Sequence, residues 1–519
     1  MKKKRVVGLI LAAALVAATV GCGSQGSSNG DGATGKGNSD NAGNSVSNEE
    51  RVPIRWLTTG DSAAAALQDG DRIVEAINEK LGIDLQVEIV PEGNVEKVNV
   101  AMASGDFPDV VTGAYGTSAT QQWIEDGMVI PLNQYFETSP NMKKWLEEDY
   151  PWTAIEDQYY GIPFITQYSV ANTLILMRQD WLDNLGLTYP KTLDEMKDVL
   201  LAFTNDDPDG NGQADTFGFT AEKLTSTATP FDWVFYAYGR PYADYALDEN
   251  DQVIPVFEDP SFIPGMTYIK ELWDLRLIDP ELMLNDMSKK EEKFYQGKSG
   301  AMYAPLFRNI TRHENSIKEL FQDATLCYGL APAGADGSRG LSAQGKGGMM
   351  TCITTACKNQ DKAAEFVEFM ISEEGNNLLR LGIEGIHYTM DGDKIIYNEE
   401  ERAKDSFAAD GWAHALAWGS FYWPLESGYI PETDSNREKA LETEDLATQC
   451  QMPNLVKQKT PLEIQNGSAL NDIYVQYFSD MLQGKISIEE GTAQLSKSWR
   501  SQGGDELLKE VNEVYHANK

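Results

Sequence analysis

Between Ile54 and Gly113 the hydrophobic pattern switches back and forth between a period of two and a helical period, and this alternation constrains the fold most. Ile54-Arg55-Trp56-Leu57 reads as a strand, with Thr58-Thr59-Gly60-Asp61 as the turn after it. Residues 62–81 carry helical periodicity, and Leu85 to Val90 alternate as a second strand. Val95 to Ser104 reads as a short helix, and Phe107 to Val111 as a third strand ending at Thr112-Gly113. Strands separated by helices need crossover connections, which pair the strands in parallel and cover the sheet. In such sheets ligands sit beyond the carboxyl ends of the strands. The loops at 58–62 and 112–117 are therefore the first places expected to meet a ligand.

Upstream of that body lies a different kind of sequence. Lys2, Lys3, Lys4 and Arg5 precede an apolar run from Val6 to Val20, then Gly21 and Cys22. A basic end, a short hydrophobic stretch and a small residue at the cut make residues 1–21 a secretory signal peptide. The run is shorter than the roughly 20 residues of a membrane span. Thr19-Val20-Gly21-Cys22 resembles the lipobox of bacterial lipoproteins, with Thr where Leu is usual, which implies lipidation of the Cys22 thiol. From Gly23 to Asn48, eighteen of twenty-six residues are Gly, Ser or Asn, too polar to bury a core. Residues 22–48 are read as a flexible linker with a reach of about 28 Å. Two acyl chains suffice for stable attachment, so the body is expected outside a bacterial cell membrane, held by its lipid.

The body, from about residue 49 to Lys519, is too long for one core. Eleven Trp, twenty-two Tyr and eighteen Phe can fill large cores and leave aromatics for a binding surface. The net charge of −37 speaks against nucleic acid and anionic lipid as partners, since both need basic patches. Besides Cys22 there are Cys327, Cys352, Cys357 and Cys450. They are read as isolated thiols, with a Cys352–Cys357 bridge as the alternative.

Seven segments carry a family resemblance, in order along the body. They are Ala103-Ser104-Gly105-Asp106-Phe107-Pro108-Asp109-Val110, Asp126 to Leu132, Tyr159 to Pro163, Met177 to Leu187, Pro190 to Glu195, Gly297 to Met302, and Gly382 to Tyr388. Together they resemble extracellular solute-binding proteins of family 1, the sugar-binding lipoproteins of ABC importers, in the LplA-like branch. Much of this is structural: Trp181, Leu182 and Leu185 sit at helical spacing as core, Gly186 as a helix C-cap, and Pro190 and Asp194 at the next helix start. The fold implied is α/β, of the periplasmic-binding-protein type II, with two discontinuous α/β lobes and an interlobe cleft. By resemblance, lobe one takes 49–165 and 337–375, and lobe two takes 166–336 and 376–519. The hinge is expected where the chain crosses, near 160–172 and 330–345.

Candidate sites follow from residue chemistry. Asp207, Asp209, Asn211, Gln213 and Asp215 place ligands at positions 1, 3, 5, 7 and 9 of a loop with Gly212 at position 6, the calcium-loop spacing of an EF-hand. Gly218 stands where a bidentate Glu belongs, so Asp206, Glu222 or water must complete the shell around a structural calcium ion. Phe231, Trp233, Tyr236, Tyr238 and Tyr242 form one aromatic cluster; Trp412, Trp418, Phe421, Tyr422 and Trp423 form another. Aromatic faces stack on pyranose rings, while nearby polar groups satisfy the hydroxyls. The expected ligand contacts are Asp61, Tyr115, Tyr168, Trp233, Arg308, Glu384 and His387. His313 and His516 read as helix-surface residues.

No serine elbow, zinc-protease helix, Walker loop or dinucleotide fingerprint stands out, so no enzyme is expected. The resemblance implies a monomeric, lipid-anchored component of an ABC transporter that captures an oligosaccharide by hinge closure and hands it to the permease. The rival readings are a secreted, calcium-stabilised carbohydrate-active enzyme and a sensor that presents ligand to a membrane receptor.

Overall fold

The computed structural model describes residues 51–60, 67–91, 96–105, 107–164, 173–225, 230–305, 310–342, 348–392, 394–407, 414–417, 437–456, 459–517 and 519. The segments read as signal peptide and linker, with Cys22, lie outside them. Two large sheets organise the rest. The first runs in the order Ile83–Pro91, Val52–Gly60, Val110–Tyr115, Gly348–Ile353, Ile162–Phe164. Its first three strands are parallel, with Val52 opposite Ile83 and Trp56 opposite Val110. Gly348–Ile353 lies antiparallel between Val110–Tyr115 and Ile162–Phe164.

Helices cover both faces of this sheet, which explains why Val52–Gly60 is buried on both sides at its carboxyl end. Ile54 and Trp56 pack with Ile77, Phe366 and Met370 on one face. Leu57 and Val111 pack with Val98, Met102 and Trp123 on the other. Three boundaries differ from the sequence reading. Thr58, Thr59 and Gly60, read as a turn, continue the first strand opposite Ile89, Val90 and Pro91. The helix expected over 62–81 is Arg72–Leu81, because the Asp71 carboxylate accepts from the Ile73 and Val74 amides and so caps it there. The third strand is Val110–Tyr115 rather than 107–111; Pro108 has no N–H to give a ladder, and pairing starts at Val110 opposite Trp56.

The second sheet runs Leu326–Cys327, Thr173–Arg178, Ser299–Pro305, Phe217–Thr220. Thr173–Arg178 is antiparallel to both neighbours, while Phe217–Thr220 and Ser299–Pro305 are parallel. Its core gathers Trp181, Leu182, Phe203, Phe219, Trp233 and Phe478. Trp181 and Leu182 are closed to solvent and Leu185 packs beside them, as the helical spacing predicts. Gly186 takes the left-handed cap conformation, φ 67°. At Gly300 a Cβ would come within 2.1 Å of the Phe203 ring, so the strand accepts no side chain there. The C-terminal helices Pro461–Leu482, Ile488–Trp499 and Asp505–Ala517 close this second core.

The assignment of everything from 376 onward to lobe two needs correction. Leu379, Ala415, Leu416 and Ala417 join the core of the first sheet, whereas Ala447 and Cys450 join that of the second. The apolar triplet Ala415-Leu416-Ala417 is what buries this return segment in lobe one. The described residues therefore belong to lobe one as far as Ala417 and to lobe two by Ala447, so the last change of lobe, expected at 376, comes later in the chain. The four thiols are free, so the Cys352–Cys357 alternative is not formed; burial pushes Cys357 up to about 12. Among the described residues no helix is long and apolar enough to cross a membrane.

Candidate ligand-binding site

The two sheets present their carboxyl edges to the segments that join the lobes. In lobe one, Tyr115 ends its strand opposite Gly348, and Phe164 ends its strand opposite Met349. In lobe two, Pro305 ends its strand opposite Thr173, where the chain arrives from lobe one. Strand ends of this kind are where open α/β sheets bind ligand. The lobes also touch directly: the Lys459 ammonium, just before the lobe-two helix Pro461–Leu482, donates to the Gly116 carbonyl of lobe one at 3.2 Å.

A buried network builds the lobe-two side. The Tyr303 hydroxyl donates to one Asp232 oxygen at 2.7 Å, and the Ser342 amide donates to the other at 2.9 Å. Tyr236 and Ser342 share a hydroxyl hydrogen bond of 2.7 Å, and the Arg240 guanidinium lies 4.4 Å from the Tyr236 ring. Burial pushes the Asp232 carboxyl above its ordinary range and the Tyr236 phenol up to about 12. The network ties the helix Asp232–Ala237 to the strand Ser299–Pro305 and to Ser342, the last described residue before the second crossing. It fixes the root of that crossing.

At the carboxyl end of Phe217–Thr220 stands a pair that sequence reasoning missed. Lys290 is almost fully buried, and its ammonium donates to Glu222 Oε1 at 2.8 Å and to the Tyr303 carbonyl at 3.0 Å. The Glu222 side chain is 41% exposed. Lys290 sits in a polar-looking helix, Met287–Tyr295, and nothing in that pattern marks it as buried.

On the lobe-one side, a double clasp holds the residues leading into the helix Arg72–Leu81. The Ile383 amide donates to His387 Nδ1 at 2.8 Å, which leaves the proton on Nε2, and Nε2 donates to Asp405 at 2.9 Å. His414 repeats the arrangement: the Leu416 amide donates to Nδ1 at 3.2 Å, and Nε2 donates to Asp71 at 2.8 Å. Phe407 lies between the imidazoles, 5.3 Å and 5.5 Å from their centres. Asp405 also accepts from the Arg72 amide and side chain, and the Gln68 amide donates to Ser406. Burial pushes His387 below its ordinary value, with Asp405 opposing that shift. Burial also raises Asp405, but hydrogen bonds from Arg72 and His387 win and hold it low.

Of the expected ligand contacts, Asp61, Tyr168 and Arg308 lie outside the described residues, as does the second aromatic cluster from Trp412 to Trp423. Tyr115 ends its strand at the predicted edge, half-buried, its phenol pushed up to about 12 by burial. Trp233 is not a ligand platform. It has no exposed surface and packs edge-on against Phe219 and Tyr268, because all six residues of Asp232–Ala237 are buried. His387 is also withdrawn as a ligand contact, since both ring nitrogens are engaged inside the clasp. Glu384 is exposed on the turn just before it. His313 is buried rather than at the surface, with Nδ1 2.7 Å from the Tyr295 hydroxyl, while His516 is exposed.

The acidic loop is closed on itself by its own hydrogen bonds. The Gly212 amide donates to Asp207 at 3.0 Å, and the Asn211 amide group reaches Asp209 at 2.9 Å and Asp215 at 3.2 Å. These bonds tie the residues at positions 1, 3, 5 and 9 into one turn. Lys298 pairs with Asp215 at 2.9 Å. Among the described residues, no three His, Cys, Asp or Glu side chains are grouped closely enough to hold a metal. Glu222 is no candidate for the shell: it is fixed on Lys290 at the opposite end of the Phe217–Thr220 strand from Asp215.

Comparison with known proteins agrees with this architecture. The model of the bacterial extracellular solute-binding protein family matches residues 61–377. The polygalacturonan/rhamnogalacturonan-binding protein YtcQ of Bacillus subtilis is 24% identical over 524 residues, covering 100% of this chain and 99% of its own. Lipoprotein LipO of the same organism is 25% identical over 459 residues, covering 86% and 89%. The Streptococcus pneumoniae ABC-transporter substrate-binding protein FusA, solved with kestose, superposes with a TM-score of 0.71 at 19% identity over 90% of this chain and 100% of that one. A FusA EF-hand mutant with fructo-nystose gives 0.69 at 20% identity over the same shares. The structural likeness carries the two-lobed α/β fold of periplasmic-binding-protein type II. With that fold and a family match over more than half its length, the chain belongs to the bacterial extracellular solute-binding proteins.

Proposed function

We propose that this chain is the lipid-anchored, extracytoplasmic solute-binding component of an ABC importer and that it captures an oligosaccharide between its lobes as a monomer. The observation that carries the reading is the junction, where Tyr115, Phe164, Thr173 and Pro305 bring both sheets' carboxyl edges to the crossings. A ligand held there touches both lobes only when they close, so binding shifts the population towards the closed state. The permease then recognises the closed form, and no covalent chemistry is needed. The relatives' names support a sugar as cargo: YtcQ is named for polygalacturonan and rhamnogalacturonan and FusA for fructooligosaccharide. Cys22 carries the lipid and the polar linker gives the body its reach. Asp207, Asp209, Asn211, Gln213 and Asp215 hold a calcium ion that stiffens lobe two and takes no part in ligand binding. Calorimetric titration of the purified protein against an oligosaccharide library tests the reading. Saturable binding of an oligosaccharide with one site per chain is expected; binding of amino acids or peptides with no response to any glycan overturns it.

A further inference from the structure

We infer that Glu222 is a specificity-determining ligand contact, aimed by the buried Lys290, and that it selects a neutral sugar over a uronate at its subsite. The inference rests on the solute-binding reading above. Glu222 lies two residues beyond the strand Phe217–Thr220, and Lys290 links it to the carbonyl of Tyr303 in the neighbouring parallel strand. Both strands therefore deliver this carboxylate to the edge where Pro305 meets the incoming Thr173. Lys290 is buried, and an ammonium removed from water needs acceptors; Glu222 Oε1 and the Tyr303 carbonyl supply them. That bond fixes one oxygen of the carboxylate. The other, Oε2, accepts no hydrogen bond among the described residues, and the side chain remains 41% exposed.

A half-exposed carboxylate held from behind is a preorganised acceptor. It receives a hydroxyl proton through a charge-assisted bond with little loss of rotamer freedom. Two neighbouring hydroxyls of a pyranose or furanose ring match its open side. A uronic acid brings a second carboxylate to the same place, where like charges repel and neither supplies a proton at neutral pH. The chain's net charge of −37 adds a field of the same sign. Lys290 is a positioning residue, since it acts on the ligand only through Glu222. The subsite thus departs from the polygalacturonan and rhamnogalacturonan for which YtcQ is named.

The test compares the full-length protein with Glu222→Gln, Lys290→Met and the double variant, titrated with maltotetraose, kestose and tetragalacturonate. The wild type is expected to bind a neutral oligosaccharide at least tenfold more tightly than the uronate. Glu222→Gln, which keeps the shape, should lose about tenfold for the neutral sugar and narrow the gap to the uronate. Lys290→Met should do the same through disorder of Glu222, and the double variant should lose no more than the worse single one. If Lys290→Met does not fold, Glu222→Gln decides alone. Wild-type affinity in Glu222→Gln, or a wild type that prefers tetragalacturonate, overturns this inference and leaves the solute-binding reading standing. Where the library titration identifies another glycan, that glycan takes the place of the neutral or acidic probe in the same comparison, and response to no glycan at all overturns both.

Discussion

Replacing His387 with Phe tests whether the double clasp holds the return segment to lobe one. The substitution keeps a ring against Phe407 but removes both nitrogens, so one buried and one part-buried hydrogen bond disappear. The Ile383 amide loses its acceptor, and an orphaned buried N–H costs about 1–3 kcal/mol. Asp405 keeps Arg72 but loses a bond to a charged group, worth about 1.5–3 kcal/mol. The expected loss is therefore about 2.5–6 kcal/mol, a large share of the roughly 5–15 kcal/mol of a native protein. The pH dependence has a definite sign. Burial holds the native imidazole below its ordinary value, so between that lowered value and about 6.5 the unfolded chain binds a proton that the native chain refuses. Stability from His387 is complete above that window and is lost as pH falls through it. Urea unfolding followed by tryptophan fluorescence from pH 8 to pH 5 should show the variant less stable at pH 8. The difference from wild type should shrink towards pH 5. A variant within 0.5 kcal/mol of wild type at pH 8, or one whose deficit grows on acidification, refutes the reasoning.

Other perturbations separate core from cleft and tether from fold. Trp233→Ala should lower stability by about 3–5 kcal/mol, as for any large aromatic cut from a packed core; a normal melting temperature with weakened sugar binding would return Trp233 to the cleft. Calcium added to metal-stripped protein should raise the melting temperature, and Asp207→Ala or Asp209→Ala should abolish the rise while sugar affinity holds. An unchanged melting curve counts against the ion. Cys22→Ser should move the protein from the membrane fraction to the soluble fraction with its fold intact, and retention in the membrane would sink the lipid anchor.

The parallel sheet of lobe one was legible because its signal is local: Trp56, Val87 and Val110 lie in short apolar runs separated by helical stretches. Gly186 was legible for the same reason, since a cap depends on its own helix. What failed depended on partners distant in sequence. An aromatic such as Trp233 looks the same whether it faces a sugar or Phe219, and only the packing of its whole helix decides. His387 and Asp405 are 18 positions apart, and His414 and Asp71 are 343 apart, so neither pair leaves a pattern in the sequence. Glu222 was one of three options, with Asp206 and water, for completing the calcium shell, yet a strand stands between it and the loop. The late return to lobe two was hidden because Ala415-Leu416-Ala417 reads as any short apolar run.

Small-angle X-ray scattering on the purified protein, with and without the oligosaccharide that titrates it, tests the central claim most directly. If the lobes close around ligand, the radius of gyration falls and the distance distribution loses its longest vectors at saturation. The change should follow the same binding curve as the calorimetric heat. Tight, saturable binding with superimposable scattering profiles would contradict capture by closure.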